Sequence, residues 1–135
     1  MEENCIFCKI ANGEIPSATL YEDKNFRVIL DLSPASKGHA LILPKKHAAN
    51  LFELTDETAS KVMVLAKQIA AVLQEGLHAD GVNLVQNNGE AAGQTIFHFH
   101  MHIIPRYQND TVNVTWRPGE LIENDKKEIL SLFEK

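Results

Sequence analysis

The chain has 135 residues, 44% apolar and 23% charged, the balance of one globular domain with a single core. Its formal net charge of −5 argues against non-specific binding to nucleic acid or to a membrane surface, which needs a basic face, but permits a local pocket for one phosphate. The sequence shows no basic-then-apolar leader and no uncharged apolar run of roughly 18 residues, so no membrane span is expected and a cytoplasmic location is the default expectation.

Phe7 to Asn12 reads as a short helix, stopped by Gly13 and the Ile15–Pro16 step. Cys5 and Cys8 stand at its start. In a reducing compartment a Cys-x-x-Cys pair signals metal or redox chemistry rather than a structural disulfide. Thr19–Glu22 and Asn25–Leu32 read as a hairpin pair, the second with Phe26, Val28 and Leu30 on one face. His39–Pro44 is an apolar strand ended by its proline, and Pro34 and Gly38 mark the loop before it.

Thr55 is a suitable N-cap for one long helix, with Asp56 and Glu57 at the positive end of the helix dipole. Val62, Leu65, Ala66, Ile69, Ala70, Val72 and Leu73 recur at a helical period, and Gly76 is the expected stop. Val82–Gln86 reads as a strand, followed by the polar loop Asn87–Thr95 and a strand from Ile96 to Ile104 ended by Pro105. A last helix is expected from near Asn124 to Phe133. Short turns rather than helical crossovers join most strands. The expected fold is therefore α+β: an antiparallel sheet of about five strands, one long helix packed on it, and a C-terminal helix.

The informative stretch is Phe97-His98-Phe99-His100-Met101-His102-Ile103-Ile104. Strand alternation puts Phe97, Phe99, Met101 and Ile103 on a core face and the three histidines on the other, each about 7 Å from the next. Three of the six histidines in five residues is more than a wet face requires, since Lys, Thr or Glu would serve as well. Two chemistries remain open. Histidines at i and i+2 can chelate zinc with a further ligand. Alternatively, imidazole, titrating near neutral pH, can act as nucleophile, base or acid. The preceding loop favours a phosphate, because its glycines allow close backbone approach and its amides and hydroxyl donate. It lacks the Lys-Ser/Thr of a P-loop.

The run HFHMHII, with Asn87, Gly93-Gln94-Thr95 and Asp31-Leu32-Ser33-Pro34…His39…Pro44-Lys45-Lys46-His47 upstream, resembles the histidine triad (HIT) family, in its Hint-like branch of nucleoside phosphoramidate hydrolases. The resemblance runs from about Cys5 to Pro105. It implies one HIT-like domain over 1–135, with an N-terminal zinc-binding segment at 1–15 and a C-terminal tail and helix at 106–135. It further implies a hydrolase that cleaves at the α-phosphorus of a purine nucleoside phosphoramidate. His100 would be the nucleophile and carry a covalent nucleotidyl intermediate, with His102 and His39 on the phosphate and leaving-group side. Asn87, Gly93, Gln94 and Thr95 match the phosphate loop, Asp31 the acceptor for the ribose hydroxyls, and Leu32, Phe7 and Ile10 a base pocket.

Bacterial relatives of this kind often carry a structural zinc site, which here would be Cys5, Cys8, His47 and His98. Four protein ligands close such a site, so no catalytic metal is implied. The resemblance implies a small purine nucleotide as the partner, and a homodimer. Three rival readings differ in kind: a metallohydrolase with zinc on His98, His100 and His102; a dinucleoside polyphosphate hydrolase of a sister branch; and a non-enzymatic nucleotide-binding or scaffold module. Trp116 is expected either to shape the leaving-group side or to anchor the last helix.

Overall fold

The computed structural model describes residues 2–134. In chain order the elements are α1 (Ile6–Ala11), β1 (Thr19–Glu22), β2 (Phe26–Leu30), β3 (Ala40–Pro44), α2 (Asp56–Leu77), β4 (Gly81–Val85), β5 (Met101–Arg106) and α3 (Glu123–Ser131). The five strands form one antiparallel sheet in the order β1-β2-β3-β5-β4, as the short connections predict. The β1–β2 turn is set by Asp23, whose Oδ1 accepts the N–H groups of Asn25 and Phe26.

Strand β3 is buried along its whole length, because the sheet is covered on both faces. Phe26, Val28, Ala40, Ile42, Met101 and Ile103 face α2 and pack on Val62, Leu65 and Ala66, with Phe99 among them. Ile29, Leu41 and Leu43 face the other way, against Phe7 and Ala11 of α1. Each such side chain contributes about 1.5–3 kcal/mol of burial. The His102–Leu41 register puts His102 on the α1 face, so the site forms there while α2 braces the sheet from behind.

Helix α2 starts as expected: Thr55 Oγ1 accepts the Thr58 N–H at 3.1 Å, and Asp56 and Glu57 fill the first turn. It does not stop at Gly76. It ends at Leu77, one residue past Gly76, with the cap residue His78 in the left-handed conformation (φ 55°) bonding its N–H to the Gln74 carbonyl. Val72, assigned by period to the buried stripe, is exposed.

The largest departure is at the histidine stretch. The strand begins at Met101, not Ile96, and continues through Pro105 to Arg106. Residues 96–98 bend, and the Phe99 N–H bonds the Ala48 carbonyl at 2.7 Å. Alternation therefore holds only from Phe99 onward. Phe97 is 45% exposed rather than in the core, and His98 is fully buried.

The tail differs in kind. Helix α3 forms close to the expected span, but Ile129, Leu130, Leu132 and Phe133 are exposed, as is Trp116 at 83%. Trp116 lies beside Asn83 and Arg106 and does not anchor the helix. Among the described residues no helix is long and apolar enough to cross a membrane.

Candidate active site and metal centre

A cavity of about 420 Å³ opens on the α1 face of the sheet. Ile6, Phe7 and Ile10 of α1 form one wall, and Asp31 and Leu32, just past β2, form the lip. Thr95, His100 and His102 lie at the other side. Its size and largely apolar lining suit a small aromatic ligand with a few placed polar groups. Leu32, at 91% exposure, is available at the rim rather than packed.

The hydrogen bonds assign the ring protons of the site histidines. His100 Nδ1–H donates to the His98 carbonyl at 2.8 Å, which leaves its Nε2 lone pair free. The Ala35 N–H donates to His39 Nδ1 at 2.9 Å, so neutral His39 carries its proton on Nε2. That proton faces His102 Nδ1 at 2.9 Å, which puts the His102 proton on Nε2, on the side of the ring away from His39. The His100 and His102 rings are 5.0 Å apart. The cavity is thus offered one imidazole lone pair and, next to it, one imidazole N–H.

Burial keeps these rings neutral. It pushes His100 and His39 below the ordinary imidazole value. His102 is held at about 4, first by burial and then by the neighbouring His100 and His39, with Asp31 opposing. Asp31 stands 3.6 Å from His39 Nε2, its other oxygen accepting the Ser33 N–H at 2.8 Å.

The loop before the site is braced by amide side chains. Gln94 is buried; its Oε1 accepts the Gly89 N–H at 2.8 Å, and its Nε2 donates to the carbonyls of Ala49 and Ile96. Its donors are therefore spent on backbone carbonyls, and it shapes the loop rather than presenting an amide. Asn88 Oδ1 accepts the Leu51 N–H, tying the loop to the segment after β3. Gly89 and Gly93 sit at φ +92° and +95°, where a side chain would strain the backbone. A Cβ at Gly93 would lie 3.7 Å from Asn87 Nδ2, so Asn87 and Gly93 adjoin. Thr95 is exposed along the cavity.

A second cluster lies directly behind the first. Cys8 Sγ is 3.3 Å from both His47 Nδ1 and His98 Nδ1, and Cys5 Sγ is 3.3 Å from His98 Nδ1. The four ligand atoms lie within 4.8 Å of one another. The donor set fits a tetrahedral metal, because His98 Nε2–H is taken by the Pro44 carbonyl at 2.8 Å and its Nδ1 lone pair is left for the sulfur side. The expected quartet is thus brought together.

The trio Asp31, His39 and His102 is also close enough to hold a cation. Its tautomers oppose one. A metal on His39 Nε2 would move that ring's proton to Nδ1, against the Ala35 N–H. Nor do His98, His100 and His102 converge on a point. His98 turns to the cysteines, and the Nδ1 of His100 is bound to a carbonyl. Three-histidine zinc on this stretch is excluded by that divergence.

Sequence reading missed the backbone partners: the carbonyls of Pro44, Ala48, Ala49 and His98 and the Ala35 N–H. No residue-type signal could have found them.

Residues 12–109 match the HIT domain. The chain belongs to the HIT domain family. It is 47% identical over 116 residues to Protein hit of Bacillus subtilis, covering 85% of this chain and 80% of that protein. It is 37% identical over 139 residues to an adenosine 5'-monophosphoramidase of Saccharomyces cerevisiae, covering 99% of this chain and 85% of that protein. Among solved structures it is similar to a Zn-bound histidine triad family protein from Mycobacterium smegmatis, at 38% identity and a TM-score of 0.78, covering 94% of this chain and 89% of that one. The HIT fold supplies the α+β architecture expected from the sequence.

Proposed function

We propose that the protein is a nucleotide hydrolase that cleaves the phosphorus–nitrogen bond of purine nucleoside phosphoramidates through a nucleotidyl intermediate on His100. The observation that carries this reading is the pair of ring nitrogens at the cavity: a lone pair on His100 Nε2 beside an N–H on His102 Nε2. A neutral imidazole is the required form of the nucleophile, and burial maintains it. Similarity to an adenosine 5'-monophosphoramidase supports the substrate class.

In the first half, His100 Nε2 attacks the α-phosphorus and the phosphorus–nitrogen bond breaks. The amine leaves after taking up one proton from solvent, which the water of the second half gives back, with His102 Nε2–H hydrogen-bonded beside the reacting centre. In the second half, water attacks the same phosphorus, returns a proton, and frees the mononucleotide and the ring. His39 positions His102 by fixing its tautomer. Thr95, Asn87 and the loop that Gln94 holds would bind the phosphate, and Asp31 the ribose hydroxyls. The base would occupy the apolar wall of Phe7, Ile10 and Leu32.

Cys5, Cys8, His47 and His98 would hold zinc in a closed structural site, a reading supported by the donor set and by the Zn-bound relative. We also propose a homodimer with a cytoplasmic location. Strand β4 is a sheet edge without charged residues, its Leu84 is exposed, and Met63, Val64 and Val72 are exposed on α2.

The test is adduct trapping. Rapid quenching with adenosine phosphoramidate should give intact protein heavier by one adenylyl group, located on His100 by peptide mapping. Turnover without any adduct on His100 would overturn the reading. A parallel assay with a diadenosine polyphosphate ranks the leaving groups.

A further inference from the structure

We propose that the Cys5/Cys8/His47/His98 cluster positions the nucleophile, by fixing the two groups between which the His100 ring is held: the Phe7 ring and the His98 carbonyl. The inference rests on the nucleotidyl-transfer reading of His100.

The backbone around His100 lacks the support of regular strand pairing. Strand β5 begins at Met101, and the residues before it bend. The orientation of His100 therefore depends on what touches its ring. One contact is the His98 carbonyl, which accepts Nδ1–H at 2.8 Å. A second is Phe7, whose ring meets His100 edge-on, with centroids 4.9 Å apart and an angle of 88°, whereas the His102 ring, 5.0 Å away, is carried by β5 and is independent of the cluster. The first fixes the tautomer and rotation of the imidazole; the second limits its tilt.

Both groups are anchored by the cluster. His98 is gripped at both ring nitrogens, by the Pro44 carbonyl at 2.8 Å on Nε2 and by the sulfurs at 3.3 Å on Nδ1, so its main chain has little freedom. Phe7 lies between the two cysteine ligands in Cys5-Ile6-Phe7-Cys8, and it also touches His98, with centroids 6.2 Å apart. Ile6 and Phe7 line the nucleotide cavity as well, so the segment that closes the cluster also makes a wall of the cavity. If these contacts loosen, His100 is free to take its other tautomer and turn its lone pair away from the cavity. Phe7 is thus a positioning residue, and the cluster sets the geometry of the nucleophile besides fastening the N-terminal segment.

Two measurements test this. Phe7→Leu keeps all four ligands and an apolar wall. With zinc content unchanged, the single-turnover rate of His100 adenylylation at saturating substrate should fall on the order of 10²-fold, the cost of a small misplacement of a reacting group. A rise in KM with the saturating rate intact would show Phe7 to be pocket wall only, and would overturn the proposal. The second measurement removes Zn²⁺ from the purified protein with a chelator, with far-UV circular dichroism monitoring α2. The ¹⁵N signature of His100 should change from one Nδ1–H tautomer to a mixture, and AMP affinity should fall. An unchanged His100 signature in the folded, zinc-free protein would overturn the proposal. If zinc removal unfolds the chain, Phe7→Leu decides alone. Neither the tautomer nor AMP binding depends on turnover. Undiminished hydrolysis by His100→Ala would therefore refute the function while leaving this result readable.

Discussion

His98 and His100 are two residues apart and do opposite things. His98 Nε2 is tied to the Pro44 carbonyl, so its free lone pair is on Nδ1 and points at two sulfurs in a buried cluster. His100 Nδ1 is tied to the His98 carbonyl, so its free lone pair is on Nε2, at the cavity. In each case one backbone carbonyl, by occupying one ring nitrogen, decides what the other nitrogen can do. On the proposed function, the same side chain would serve as a metal ligand or as a nucleophile according to which nitrogen the fold has claimed.

Substituting the two rings should therefore give separable phenotypes in stability and zinc content. His100→Ala removes the nucleophile, and hydrolysis of adenosine phosphoramidate should fall on the order of 10⁴- to 10⁶-fold while thermal stability and zinc content hold. His98→Ala should lower stability by about 3 kcal/mol, through a cavity at a fully buried site and an orphaned Pro44 carbonyl, and should abolish zinc binding. Calorimetry, metal analysis and initial rates on the two variants check the contrast. Equal loss of zinc from both would mean the rings are not divided as described.

The next largest effect is at the tautomer relay. His39→Ala removes the N–H that faces His102 Nδ1, so the His102 proton is no longer confined to Nε2. The kcat should fall on the order of 10²-fold, the usual contribution of a placed proton-handling group. His39→Gln, whose amide can still donate, should recover part of that loss. No difference between the two variants would indicate a packing role.

The pH dependence separates the neutral rings from ordinary histidines. His102 is held at about 4 by burial and by His100 and His39, against Asp31, whereas an unfolded histidine titrates at about 6.5. Between those values the unfolded chain binds more protons than the folded one. This contribution to stability is therefore complete above about pH 6.5 and drains as pH falls toward about 4. In thermal melts across that interval, wild type should lose stability more steeply than His102→Phe as pH falls. Parallel curves would place the titration elsewhere.

Most of the sheet was legible because its strands are short apolar runs bounded by turn residues, and β3 ends and α2 begins where those signals put them. The histidine stretch was misread at its start. An unbroken alternation of Phe and His looks like strand from Phe97, but the Phe99 N–H bonds the Ala48 carbonyl, and the chain bends ahead of β5. His78, not Gly76, caps α2, because the left-handed position fell two residues beyond the glycine. Of the site, the side chains His39, His100 and His102 and the quartet of Cys5, Cys8, His47 and His98 were identifiable, since their residue types carry the chemistry. The carbonyls and N–H groups that assign their protons were not, because every residue has them and only the tertiary fold selects which ones matter.

The smallest test concerns Thr95. It is exposed along the cavity beside the loop that Gln94 braces, and on the proposed function its hydroxyl would donate to a bound phosphate oxygen. A hydrogen bond of that kind is worth about 1.5 kcal/mol when the acceptor is charged, which is roughly tenfold in rate. Thr95→Val has nearly the same shape and no hydroxyl, and kcat/KM should drop by about tenfold; Thr95→Ser keeps the hydroxyl and should stay within about twofold of wild type. Neither substitution reaches the cysteine cluster, so zinc content should not move in either. If Val and Ser behave alike, the hydroxyl does not face the phosphate, and Asn87 and the backbone around Gly93 would have to hold it instead. That would shift the phosphate along the loop, away from His100 Nε2.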